Sequence, residues 1–163
     1  MSNTNIKAEN LTEAEHQWIA QQRNTCLQLV SLYLNQPLFE APSIAELHQA
    51  FDNWLELFIR STSKRRLFSK KITVADPNDI ALSFGVAFGD HIQATTTLEW
   101  KIVTDDYGTD MMLFAAGVKG EYTDIINAPI SMISKRIEHR EHGWLRPTFE
   151  QLIEQLNEMS GKK

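Results

Sequence analysis

Cysteine is almost missing from this chain: Cys26 is the single one in 163 residues. That excludes an internal disulfide framework and makes a reducing compartment the natural expectation. Long apolar runs are missing as well. No stretch approaches the roughly 18–20 residues that a membrane-spanning helix needs, and no charged-then-apolar leader opens the chain. We therefore expect a soluble, cytoplasmic protein with no membrane association. Phosphate-cradling glycine loops are absent too, since neither a GxGxxG nor a Walker pattern occurs. Ser61, Ser63, Ser83, Ser131 and Ser134 lack any nucleophile-elbow context. Cys26 falls on a helical apolar stripe, where core packing is the expectation rather than chemistry. No repeat and no low-complexity tract is present.

What remains is an ordinary globular composition, 42% hydrophobic and 23% charged. At this length one domain is expected, burying roughly 70% of its unfolded surface. The net charge is −5, unevenly distributed. Arg60, Lys64, Arg65, Arg66, Lys70 and Lys71 form a basic run without one acid, so the other ten basic residues face 21 acidic ones. A mostly acidic body argues against nucleic acid as a partner, because phosphate contacts dominate that binding. It suits a basic protein partner, whose encounter a complementary field speeds. The basic run itself reads as a solvated loop, with anion binding as the alternative.

Residues 1–10 are polar and read as a flexible N-terminus. Residues 11–159 read as one domain, opening with a helical hairpin over 11–60. Thr12 and Glu15 form a capping box, and the helix they start carries Trp18, Cys26, Leu29, Val30 and Tyr33 on one face until Asn35-Gln36-Pro37 stops it. Ser43 and Glu46 form a second box, followed by Ile44, Leu47, Phe51, Leu55, Phe58 and Ile59 at helical spacing. Residues 61–76 read as a basic linker, with a weakly signalled strand around Leu67 to Val74. Over 77–142 the pattern is helix, meander, helix. Asp76 caps and Pro77 opens a helix in which Ile80, Phe84, Phe88 and Ile92 form a strict apolar row. Ala81, Gly85 and Gly89 run beside that row. Two glycines inside a helix cost about 1 kcal/mol each, so another backbone is expected to lie close against them. Leu98 to Val103 alternate as a strand, and Asp105-Asp106-Tyr107-Gly108 turns it. Met111 to Val118 make a central strand, and Glu121 to Asn127 an edge strand. Pro129 opens a helix with Ile130, Ile133 and Ile137 inward, terminated by Gly143. Pro147 opens the last helix, 147–159, with Phe149, Leu152, Ile153 and Leu156 inward. The fold class is α+β, with helices packed on a three-stranded antiparallel β-meander.

Three of these stretches, LSFGVAFGD (82–90), LEWKIVTDDYGTD (98–110) and APISMISKRIEHRE (128–141), carry a resemblance. In this order and spacing they resemble the bacterial domain-of-unknown-function family 3806: a glycine-notched helix, a tryptophan-bearing strand entering an acidic-glycine turn, and a proline-started helix with a Lys-Arg pair. The likeness spans residues 78–141, weakens around Asp52 to Leu57, and leaves the first helix and the 61–76 segment uncovered. It implies a compact α+β domain and no activity.

The resemblance also picks out Trp100, Asp105, Asp106, Tyr107, Asp110, Lys135 and Arg136 as candidate binding residues, which would ring a shallow pocket for an anion or a peptide. The plainer alternative has Lys135 or Arg136 paired with an aspartate of the turn, locking helix to sheet. Asp105, Asp106 and Asp110 lack the ligand alternation of a calcium loop, so an acidic turn is expected. His139 and His142 have the spacing of paired metal ligands without a further Cys/His pair, which favours an exposed polar face. No nucleophile–base pair, metal cluster or cofactor loop emerges. The expectation is therefore a non-catalytic protein without cofactor or metal, an inhibitor or immunity-type protein neutralising a cognate bacterial toxin or enzyme. A small-molecule or anion sensor is the alternative, and an enzyme the third reading.

Overall fold

The computed structural model describes residues 6–63, 72–116 and 124–159. In order the elements are β1 (Lys7–Glu9), α1 (Glu13–Leu34), α2 (Ile44–Thr62), α3 (Pro77–Thr95), β2 (Glu99–Asp105), β3 (Gly108–Ala115), β4 (Ile125–Asn127), α4 (Pro129–Glu138) and α5 (Leu145–Met159). The four strands form one antiparallel sheet in the order β1-β2-β3-β4.

This corrects the expected three strands to four. The added strand lies in the segment read as flexible, where Lys7 to Glu9 pair with Thr104 to Ile102 of β2. Three residues, KAE, carry no apolar alternation, so nothing local announces them. They are held because β2 offers an open edge and Asn10 Oδ1 accepts from Lys101 Nζ at 2.6 Å.

The helix starts follow their local chemistry. Thr12 and Ser43 each accept from the amide three residues on, and Glu15 and Glu46 reach back to the cap amide. Asp76 accepts from the Asn78 amide, with Pro77 at the first turn. α1 ends with Asn35 left-handed at φ 52°, its amide bonded to Leu32 and that of Gln36 to Ser31. α4 ends in the same double bond, Arg140 to Ile137 and Glu141 to Arg136. Its left-handed residue is Arg140, not the expected Gly143. Gly143 also has a positive φ, but in the turn into α5, where its amide donates to both Asp52 carboxylate oxygens. α5 begins at Leu145, two residues before Pro147, which sits harmlessly in a first turn whose amides need no helical partner.

Packing centres on α3, which touches α1, α2, α4 and α5. Its Ile80, Phe84, Phe88 and Ile92 are fully buried. Around them Phe51, Trp54, Phe84, Phe88 and Trp144 form a cluster with ring centroids 5.7 to 6.3 Å apart. Tilted and edge-on pairs of this kind add about 0.5–1.5 kcal/mol each beyond area burial. Trp54 Nε1 donates to the Ala75 carbonyl and the Ala75 amide donates to Tyr33 Oη, so residues 72–76, without regular secondary structure, are tied to the helical hairpin. Most of the weak strand read around Leu67, and most of the basic run, lie outside the described residues.

The glycine notch serves two neighbours. At Gly85 an added Cβ would fall 2.6 Å from Ile130 Cα, so the α4 backbone is the close neighbour expected from the sequence. At Gly89 the neighbour is instead a side chain, the Trp100 indole. Trp100 and its cross-strand partner Leu113 thus turn the buried face of the sheet toward α3. Among the described residues, no helix is long and apolar enough to cross a membrane.

Candidate functional site

The seven residues singled out from the sequence are placed in three different settings. Asp105 ends β2 and accepts from the amides of Tyr107 and Gly108, closing the two-residue hairpin loop. Gly108 has φ +145°, a backbone state that glycine reaches without strain. Asp110 bonds the next amide, Met111. Asp106 and Tyr107 stand at the tip, Tyr107 being 96% exposed. Arg136, on α4, pairs with Glu141 and lies 5.4 Å from the Trp144 ring centroid, while Lys135 is exposed. The lock between Arg136 and a turn aspartate is therefore replaced by a lock between α4 and the segment following it.

Trp100 is buried inside the fold, where its Nε1 donates to Asp90 Oδ1 at 3.1 Å. Asp90 is where the structure assembles a polar constellation that sequence reasoning missed. Its two oxygens also accept from Arg23 Nε at 2.7 Å and Nη2 at 2.9 Å. One carboxylate thus joins α1, α3 and β2. The bond to Asp90 raises the Arg23 pKa further, against a smaller opposing effect of burial.

Arg23 stands between two grooves. The first, about 640 Å³, runs between α1 and α3. Cys26 and Leu27 of α1, Ala87 and Ala94 of α3, and Pro42 form its apolar walls, with Arg23, Asp90 and His91 at its polar margin. Small side chains at Ala87 and Ala94, seven residues apart on one helix face, are what leave the space open. His91 Nε2 lies 2.8 Å from the Pro42 carbonyl, which can only accept, so this nitrogen carries the proton. The second groove, about 480 Å³, is lined by His16, Arg23, Trp100, Glu99 and Lys101 among others, and shares Arg23 and Gln93 with the first.

Cys26 is fully buried, and its thiol is pushed up to about 12, chiefly by burial and further by the Asp90 charge. A thiol raised in the folded state stays protonated while the unfolded one ionises. Its contribution to stability is therefore full below the ordinary value of about 8.5 and declines as pH rises from there toward about 12. Native Cys26 is expected to resist a thiol reagent at pH 8 and to react at the rate of unfolding. Labelling as fast as a free thiol would contradict its burial. Replacing it with alanine should remove part of the alkaline loss of stability in urea titrations run at pH 8 and pH 10.

The histidines noted in the sequence do not share a site. His139 is exposed at the end of α4. His142 Nδ1 is 4.0 Å from Asp52 Oδ1, and His48 Nε2 lies 3.7 Å from the other oxygen of that carboxylate. His48 Nδ1 accepts the Arg146 amide, capping α5 from the outside. Among the described residues, no group of three or more His, Cys, Asp or Glu is placed to hold a metal ion.

Fold and site together define an α+β domain with a central glycine-notched helix and a mostly apolar groove along it. The chain belongs to the family described as Domain of unknown function (DUF3806), whose model matches residues 59–148. That span includes the 61–76 segment that the resemblance left uncovered, and excludes Asp52 to Leu57. Asp90, His91 and Trp100 lie within the match, whereas Arg23 and Cys26 of the opposite wall precede it. No curated protein and no solved structure matches the chain.

Proposed function

We propose that this chain is a non-catalytic binding domain that holds a small, mainly apolar molecule between α1 and α3 and acts as a sensor of it. The observation that carries this reading is the groove of about 640 Å³ walled by Cys26, Leu27, Pro42, Ala87 and Ala94. Ligand sites span about 300–1,000 Å³, with mostly apolar walls and a few convergent polar groups. Here Arg23, Asp90 and His91 are those groups. The sensor reading thereby moves from Trp100, Tyr107, Lys135 and Arg136, on which the sequence puts it, to the wall between α1 and α3.

A thermal-shift screen of metabolites on the intact chain tests it. A ligand present at 100 times its Kd should stabilise by about 2.7 kcal/mol. Ala94→Trp, at an exposed groove position, should fold normally and abolish that shift. A screen without a hit, or a shift that Ala94→Trp leaves intact, would sink the reading.

Tyr107 supports a second reading, that of an inhibitor or immunity-type protein occupying a basic toxin or enzyme in the bacterial cytoplasm. A tyrosine 96% exposed at a hairpin tip, beside Asp106, has the residue type that dominates interface hot spots. Affinity purification from the native cell at low salt should then recover one stoichiometric protein that Tyr107→Ala loses. Recovery of no such protein would remove this reading.

A further inference from the structure

Resting on the groove reading above, we infer that the two grooves beside Arg23 form one cleft for an anionic amphiphile, its chain lying between α1 and α3 and its carboxylate bound by Arg23. The grooves adjoin at Arg23 and Gln93, the first lying between α1 and α3 and the second between α1 and β2. Their chemistry differs end to end. The first is walled by aliphatic side chains and a protonated thiol, while the second adds Lys101, His16 and Glu99. A molecule filling both must itself be apolar at one end and polar at the other.

The sign of the polar end follows from the guanidinium. Arg23 spends Nε and Nη2 on Asp90, which is one of the two edges a guanidinium presents to a carboxylate. Five N–H donors sit in that fork, and the edge that includes Nη1 has no protein partner among the described residues. Asp90 therefore does two things. It fixes the plane of Arg23 by a bidentate bond, and it leaves the end-on edge available for a second carboxylate in the same plane. The Arg23 side chain is 52% exposed, so a ligand reaches it without rearrangement. In the second groove two cations, Arg23 and Lys101, meet the single carboxylate of Glu99. Asp90 on Arg23 and Glu99 on Lys101 balance these two cations. The attraction for an anion therefore comes from the unused N–H groups of the guanidinium and not from an excess of positive charge. Lys101 is held near the sheet edge by Asn10 Oδ1 at 2.6 Å and Glu99 Oε2 at 3.1 Å. It is thus a fixed second cation instead of a free arm. A planar, bidentate anion suits Arg23 better than a neutral hydroxyl does, and water cannot fill the first groove with comparable contacts.

Calorimetric titration of the intact chain with decanoate and with 1-decanol, at pH 8 and low salt, separates head from tail. Decanoate should bind at least tenfold more tightly than decanol. Arg23→Gln should erase that ratio while decanol binding persists, and Lys101→Met should reduce it by less. Equal affinity for the two chains, or a ratio that survives Arg23→Gln, would overturn the carboxylate assignment and leave the groove reading standing. Binding of neither chain would overturn both. If Arg23→Gln does not fold by circular dichroism, the salt dependence of decanoate binding to the unaltered chain decides instead. Affinity falling with salt supports the ion pair, and a salt-independent ratio overturns it.

Discussion

Gly85→Ala will lower the unfolding free energy by about 3 kcal/mol, at the upper end of the usual range for overpacked interiors. The ideal Cβ at this position lies 2.6 Å from Ile130 Cα and 2.8 Å from Ile130 Cγ1. A side chain can rotate away, but a Cα cannot, so α4 must shift along α3 and disturb Ile133 and Ile137 with it. In an exposed helix the same change would gain about 1 kcal/mol from backbone propensity. The steric term opposes that gain and exceeds it. Gly89→Ala should act in the same direction through the Trp100 ring, with Pro129 Cγ also close, 3.1 Å from the added Cβ. Here a second measurement separates the cause. In a Trp100→Leu background, Gly89→Ala should cost much less, because the ring it strikes is gone. Urea unfolding curves with an unchanged slope provide the comparison. Either glycine tolerating alanine with a rise in midpoint would mean that α3 is not closely approached there.

Much of the helical framework was legible because its signals are local. Thr12 with Glu15, Ser43 with Glu46, and Asp76 before Pro77 each satisfy first-turn amides from within four residues. The apolar row from Ile80 to Ile92 then states which face is buried. β1 was not legible, because a three-residue strand is held by the edge that receives it and not by its own side chains. The end of α4 was misplaced for a related reason. Gly143 is the better terminator by propensity, yet Arg140 takes the left-handed position and Gly143 is used to reach Asp52. The candidate site divides in the same way. Asp105 and Asp110 do the local turn work their spacing suggests. Trp100 stood on the apolar face of an alternating strand, which already argued for burial over surface binding. Asp90 closes the LSFGVAFGD stretch, whose local pattern is set by its glycines and gives its charge no assigned partner. A carboxylate on a helix covered on both faces requires partners; Trp100 is 10 residues on, but Arg23 is 67 residues away. No spacing rule reaches across two helices to find it.

Asp90→Ala should cost about 2–3 kcal/mol, within the range for charged hydrogen bonds and the donors they leave unsatisfied. Two of its three bonds go to Arg23, whose side chain is 52% exposed, so water recovers part of that loss. The third is less forgiving. Trp100 is 6% exposed, and among the described residues its Nε1 has no other partner once the carboxylate is removed. Most of the cost therefore falls on the β2 side of the carboxylate. The variants should rank accordingly. Arg23→Gln, which leaves the Trp100 bond in place, should cost about 1 kcal/mol or less, as exposed ion pairs do. Asp90→Asn, whose amide oxygen still accepts from Nε1, should fall between the two. Trp100→Phe should remove most of the extra cost of Asp90→Ala, because the donor left unsatisfied no longer exists. A double-mutant cycle over Asp90 and Trp100, read by urea unfolding, measures that coupling directly. A coupling near zero, or an Arg23→Gln cost equal to that of Asp90→Ala, would mean that the carboxylate acts as a surface ion pair and not as the joint between helix and sheet.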